Sequence, residues 1–275
     1  MPLNSVMLIT LSCLFFSFLV PTAAHSFLSD SEIAVFQKEI ADKPIGERIA
    51  LWAERFVGAP YDPNPKGEYV TRNAIVFDER VDCMYLSFRT VELSLSLTPQ
   101  DALRIALDKR FINRGLLGDD GRVLNYEDRF QYGEDMLDSG KWGREITEEI
   151  GTTTEIRGSR GRDKVKIISK EAILNCSNGL NGSNCFSKLK NGDIIFFIKA
   201  PEKRVVGEIV GHIGIIKIQV TSYKLQVTSE NKENSEIYLI HAGGVKSKGG
   251  EVKKVRLYDY IHSMPFIGVR VSRFN

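Results

Sequence analysis

From Val165 onward the chain is written in short apolar pieces. KVKIIS, DIIFFI, HIGIIKI, IYLIHA, KKVRLY and FIGVRVSRF are rich in Ile, Val, Phe and Tyr and are separated by turn residues, which reads as a series of β-strands. The residues before them keep a different rhythm. Ser29 to Arg55 reads as helical, with Ser29 or Asp30 as cap, Glu32 behind it, and Ile49, Leu51, Trp52 and Phe56 near the helical period. Cys83 to about Leu95 repeats Met84, Phe88, Val91 and Leu95 every three or four residues, and Pro99 to Phe111 gives another helix starting at Thr98 or Pro99. Helices first and strands later, without regular alternation, predict an α+β fold rather than a doubly wound sheet.

Three stretches fall outside these rhythms. GAPYDPNPKGE is a loop, broken by its prolines and glycines. Tyr126 to Trp142 is polar and aromatic, is interrupted by Gly140 and Gly143, and reads as an irregular surface excursion of the kind that carries binding residues. QVTS occurs at 219–222 and again at 226–229, too few copies for a solenoid, so the segment around 219–236 reads as a hairpin inserted between two core strands.

The N-terminus sets the compartment. An apolar run from Val6 to Val20 is followed by Pro21, Thr22, Ala23 and Ala24, which predicts a signal peptide over 1–24 cut before His25, leaving one domain over 25–275. No Lys or Arg precedes the run, and a retained N-terminal anchor is the alternative. Either way the rest is exported, to the periplasm or beyond, and no stable membrane anchor is expected once the signal is removed. A formal net charge of +2 predicts neither nucleic-acid binding nor a polybasic membrane patch. Of the four cysteines Cys13 leaves with the signal; in an oxidising compartment Cys176 and Cys185, nine apart in NCSNGLNGSNC, are candidates for a disulfide, which leaves Cys83 as an unpaired thiol.

An unpaired exported cysteine is a candidate nucleophile if it can become a thiolate. With Asp82 as N-cap, Cys83 is the first helical residue, where the helix dipole contributes up to about 1 kcal/mol. That moves a thiol pKa of about 8.5 by less than one unit, so an imidazole has to supply the rest. His212 in GHIGII and His241 in LIHAGG, each at a strand edge, are the candidates. The bland alternative is that each is an ordinary satisfied histidine. Zinc held by two histidines and a thiolate is the competing chemistry, but the chain has no HExxH, no CxxC and no short-spaced ligand pair.

GAPY (Gly58 to Tyr61), DC opening a helix, NGDIIFF (Asn191 to Phe197), GHIGII and LIHAG together resemble the NlpC-type papain-like cell-wall peptidases. ERIALWAERFVGAPY, RVDCMYLSFRTVEL, NYEDRFQYGEDMLDSGKWGREIT and VRLYDYIHSMPFIGVRVSRF are similar to the N-acetylmuramoyl-L-alanine amidase-like branch, over most of the chain from about Glu47 to Phe274. The resemblance implies a papain-like fold with the nucleophile helix packed on an antiparallel sheet. It implies Cys83 as nucleophile, His212 as base, His241 as its orienting partner, and Tyr61 beside the nucleophile as an oxyanion donor. It places Asp82, Tyr126, Arg129 and Tyr132 against the substrate. The implied reaction is cleavage of the amide between N-acetylmuramic acid and L-alanine in peptidoglycan or its fragments, with no metal or cofactor. An L-alanyl–D-glutamyl endopeptidase and a non-catalytic wall-binding module are the alternatives, although the latter needs a broken triad. DCMYLSF departs from the family, which commonly has Thr or Ser and then Phe after the cysteine, and the insert after Lys217 is long and repetitive.

Overall fold

The computed structural model describes residues 27–177, 184–224 and 231–275. The apolar N-terminal run, its cleavage site and the second QVTS copy lie outside the described residues. Among those described, no helix is long and apolar enough to cross a membrane.

Ser29 starts α1 (Asp30–Glu39) through a reciprocal cap, in which its hydroxyl accepts from the Glu32 N–H and its own N–H donates to the Glu32 carboxylate at 2.9 Å. The helical reading of Ser29 to Arg55 is corrected here: the chain turns before Pro44, which lacks an N–H and disfavours helix at Lys43, and resumes as α2 (Ile45–Arg55). A short α3 (Glu68–Thr71) follows the proline-rich loop, then α4 (Cys83–Leu95) and α5 (Pro99–Lys109). Thr98 caps α5 by accepting from the Asp101 N–H at 3.1 Å. Beyond it come α6 (Gly133–Asp138), β1 (Arg144–Glu145), α7 (Thr147–Ile150), β2 (Thr154–Arg157), β3 (Lys164–Ser169), α8 (Lys170–Ser177) and β4 (Ile194–Ile198). The chain ends with β5 (Val210–Lys224), β6 (Asn231–Val245), β7 (Gly249–Arg256), α9 (Leu257–Ser263) and β8 (Gly268–Arg273). The expected strand KKVRLY therefore stops at Arg256, which becomes the residue before a helix.

The strands form one sheet in the order β2-β3-β8-β4-β5-β6-β7, with β1 on β8 and each pair of neighbouring strands antiparallel, so the fold is α+β. β5 and β6 form its longest hairpin, paired without a register shift from Ile215↔Ile240 to Lys224↔Asn231, and the first QVTS copy lies on β5. β4 alternates between two cores. Ile194 and Phe196 face the helical layer of Trp52, Phe56, Tyr85 and Phe88, whereas Ile195 and Phe197 pack on the opposite side with Leu257 and Ile261 of α9. A sheet covered on both faces reads as continuous apolar runs, which is why IIFFI shows no alternation.

Helix α4 is buried on all sides from Tyr85 to Ser94. Its polar residues are satisfied locally: the hydroxyls of Ser87, Thr90 and Ser94 donate to the carbonyls of Cys83, Leu86 and Thr90 one turn back. Its charged residues are paired, Arg89 with Asp78 at 2.8 Å and Glu92 with Arg110 at 2.5 Å, both almost fully buried. Removing one partner of such a pair costs about 3–5 kcal/mol. The helix that begins at Cys83 is thus fixed at the centre of the molecule.

Candidate active site

The loop GAPY and the lead-in to α4 run side by side. The Val81 N–H donates to the Pro60 carbonyl and the Asp62 N–H to the Val81 carbonyl, both at 3.0 Å, while the Tyr61 N–H reaches Gly250 of β7 at 2.8 Å. Asp82 is extended (φ −97°, ψ −179°), and its Oδ1 accepts from the Tyr85 N–H at 2.8 Å. Cys83 follows as the first residue of α4. Among the described residues it is the free cysteine, half-buried, with the backbone N–H groups of Ile213 and of Cys83 itself directed at its sulfur. Burial, and then the neighbouring Asp82 carboxylate, push the thiol up to about 12, against the pull of those N–H groups and of Lys246.

His212 lies on β5 beside Ile213, and His241 follows Ile240 on β6. The Nε2 of His212 and the Nδ1 of His241 are 2.9 Å apart. The pair sits among aromatic rings: Tyr260 is 4.6 Å from His241 and 5.9 Å from His212 between centroids, and Phe266 stacks 6.5 Å from His212. Burial, with His241 second, draws His212 down to about 3; burial, with Lys253 second, draws His241 down to about 4. Both rings are neutral at neutral pH, so one nitrogen of the 2.9 Å contact donates and the other accepts. If the Nδ1 of His212 is to take a proton from a thiol, its own proton resides on Nε2 and His241 accepts through Nδ1.

Two glycines allow these segments to meet. A Cβ at Gly244, on the His241 strand, would lie 2.3 Å from the Tyr61 ring. One at Gly133, the first residue of α6, would lie 2.6 Å from Val210 Cγ1. Through this second contact Glu134 reaches the start of the His212 strand, where its two carboxylate oxygens accept from the Ile209 and Val210 N–H groups, each at 3.1 Å. Arg160 lies 3.5 Å from the same carboxylate, which is fully buried. Sequence reasoning did not find Glu134, Tyr260 or Phe266. All three lie in runs that carry the family resemblance, and Glu134 also follows a glycine, but nothing local in those runs singles them out.

The remaining candidates divide between buried and cleft-lining positions. Asp82 is buried, capping Tyr85 and lying 3.4 Å from the Lys246 ammonium. Tyr126 is also buried rather than lining a groove, because its hydroxyl donates to the Ala74 carbonyl at 3.0 Å and its ring packs edge-on against Phe111. Arg129 and Tyr132 do line a cleft of about 580 Å³, together with Arg160 and Arg162. Tyr61 is buried, and burial followed by Cys83, Asp82 and Asp62 raises its hydroxyl pKa, so that it stays a donor. Cys176 and Cys185 are joined as a disulfide, with Cα atoms 5.5 Å apart, between α8 and the turn at Cys185–Lys188. Among the described residues, no group of three or more His, Cys, Asp or Glu is arranged to hold a metal ion.

No family model matches the chain, and no curated protein is similar to it in sequence. Solved structures share its fold. A Legionella pneumophila protein of family DUF1460 superposes with a TM-score of 0.58 at 14% identity, over 88% of this chain and 93% of that one. An N-acetylmuramoyl-L-alanine amidase from Bacteroides uniformis superposes with a TM-score of 0.54 at 17% identity, over 83% of this chain and 98% of that one.

Proposed function

We propose that the chain is an exported, papain-like cysteine hydrolase that cleaves the amide between N-acetylmuramic acid and L-alanine in peptidoglycan or its fragments. The observation that carries the proposal is the 2.9 Å contact between His212 Nε2 and His241 Nδ1 on neighbouring strands, with the Ile213 amide beside His212 directed at the Cys83 sulfur. The fold shared with the Bacteroides uniformis amidase supports the choice of bond.

The resting site in this reading is neutral: a thiol and two imidazoles, not a preformed ion pair. As the Cys83 sulfur attacks the amide carbonyl carbon, its proton passes to His212 Nδ1. The imidazolium that forms strengthens the donation from Nε2–H to His241 and offsets part of the cost of charge in an apolar setting. The Tyr61 hydroxyl and a backbone N–H at the start of α4 stabilise the oxyanion. His212 then gives its proton to the L-alanine nitrogen, the C–N bond breaks, and a thioester to Cys83 remains. Water attacks that thioester, giving a proton to His212, and the carboxylic acid leaves with the thiol restored. Arg129 and Tyr132, in the cleft they share with Arg160 and Arg162, contact the peptide stem in this reading.

Digestion of defined muropeptides followed by mass spectrometry tests the reading. Release of the intact stem peptide from the sugar is expected from the wild type and not from Cys83→Ala. Cleavage between L-alanine and D-glutamate would replace the amidase with an endopeptidase of the same chemistry. Binding of wall fragments without any hydrolysis would leave a non-catalytic module.

A further inference from the structure

Lys246 sits in the turn between β6 and β7, where a lysine ordinarily points into solvent. Here it points inward. Its ammonium donates to the Asn64 carbonyl at 2.8 Å and the Asp62 carbonyl at 3.3 Å, lies 3.4 Å from Asp82 Oδ2, and stands 5.3 Å from the Tyr61 ring centre. Three segments of the candidate site meet at this one group: the Tyr61 loop, the cap of the Cys83 helix, and the end of the strand that carries His241.

We propose that Lys246 is a positioning residue: its ammonium clasps the Tyr61 loop and Asp82 to the His241 strand and supplies the positive charge beside Cys83 that favours the thiolate. The inference rests on Cys83 being the nucleophile. The charged and titratable groups around the sulfur come from every packed element: Asp82 beside it in the chain, Asp62 and Tyr61 from the loop, His212 from β5, His241 from β6, Tyr260 from α9, and Lys246 from the turn. Of these, Asp82, Asp62, Tyr61 and Tyr260 can only be neutral or negative, and both histidines are held neutral, so Lys246 is the cation of the set. Without it, a buried Asp82 carboxylate and a thiolate would stand side by side uncompensated.

The test separates charge from clasp. Lys246→Gln keeps N–H donors for the two carbonyls but removes the charge, and Lys246→Arg keeps both. Iodoacetamide alkylation of Cys83 is followed as a function of pH by mass spectrometry of the peptide that contains it, with thermal melting alongside. Lys246→Gln is expected to alkylate about tenfold more slowly at a fixed pH, a shift of roughly one pKa unit, while Lys246→Arg stays near wild type. Lys246→Met serves as the neutral variant if the glutamine protein does not fold. A neutral variant with the wild-type alkylation profile overturns the inference, even if its melting temperature falls, because lost melting alone marks a merely structural residue. Alkylation needs no substrate. If the shift appears but the wild type releases nothing from muropeptides, the role of Lys246 stands and the amidase reading fails; hydrolysis with an unmoved profile gives the reverse.

Discussion

The two ends of the candidate site are held by opposite means. The cysteine end is dense in charge and backbone contacts: Asp82 caps the helix, Lys246 bridges the loop, and peptide N–H groups face the sulfur. The histidine end is embedded in rings, with Tyr260 and Phe266 against the imidazoles and Glu134 as the buried carboxylate that secures the strand. Both ends disfavour charge when at rest. At the cysteine end a cation is already present to receive a thiolate. At the histidine end the Glu134 carboxylate is taken up by the Ile209 and Val210 amides and by Arg160, and Lys253 opposes charge on His241, so in the proposed reaction protonation there coincides with attack. In the proposed reaction, that difference puts the energetic difficulty of the first step at the histidine end.

Four experiments break or sharpen this contrast. Cys83→Ala removes the proposed nucleophilic sulfur, and muropeptide cleavage is expected to fall by at least about 1,000-fold with binding of wall fragments retained. His241→Ala breaks the other end. The His212 ring then loses its partner, and kcat is expected to fall by about 100-fold with KM little changed, a split measured by steady-state kinetics. Glu134→Gln keeps one oxygen acceptor but leaves one of the Ile209 and Val210 N–H groups poorly satisfied, costing about 1–3 kcal/mol. In a chain of this size that lowers the melting temperature by roughly 2–4 °C per kcal/mol.

The pH response is comparable in size to the Glu134→Gln effect. His212 and His241 are held to about 3 and about 4, whereas unfolded histidine takes a proton near 6.5. Between these values the unfolded chain binds protons that the folded one does not, so this contribution to stability is full above pH 6.5 and is lost as the pH falls. For one buried histidine the slope is at most about 1.4 kcal/mol per pH unit. Urea midpoints should therefore be lower at pH 5 than at pH 7, and His241→Gln should flatten the difference. An unchanged difference in that variant would show that the apolar character of the histidine end does not govern its titration.

What could be read from the sequence was local. Asp82 before an apolar helical period marks a capped helix start, because an N-cap and its helix lie within a few residues of each other. The Ile-, Val- and Phe-rich pieces mark strands, and their order gives the α+β class. What could not be read depends on distant partners. Glu134 matters through amides 75 and 76 residues away. Tyr126 looks like a surface residue until the Ala74 carbonyl, 52 residues earlier, accepts its hydroxyl. Lys246 in a turn is indistinguishable from a solvated lysine until the chain brings Asp82 to it. The helix at Leu257–Ser263 begins inside what looks like a strand, because an isolated apolar run does not announce the packing that bends it.

The unbroken ladder from Ile215↔Ile240 to Lys224↔Asn231 bears on how this chain can vary. The two histidines occupy the base of the hairpin, and the described ladder runs ten pairs beyond them, to Lys224↔Asn231. Adding one residue to each arm near the tip lengthens the hairpin and leaves the base in register. Adding one residue to a single arm between tip and base sets up a conflict, since side chains alternate faces and a slip carried to the base would turn one imidazole away from the other. Matched changes of length in the two arms therefore leave the histidine pair undisturbed, whereas an odd change in one arm alone does not.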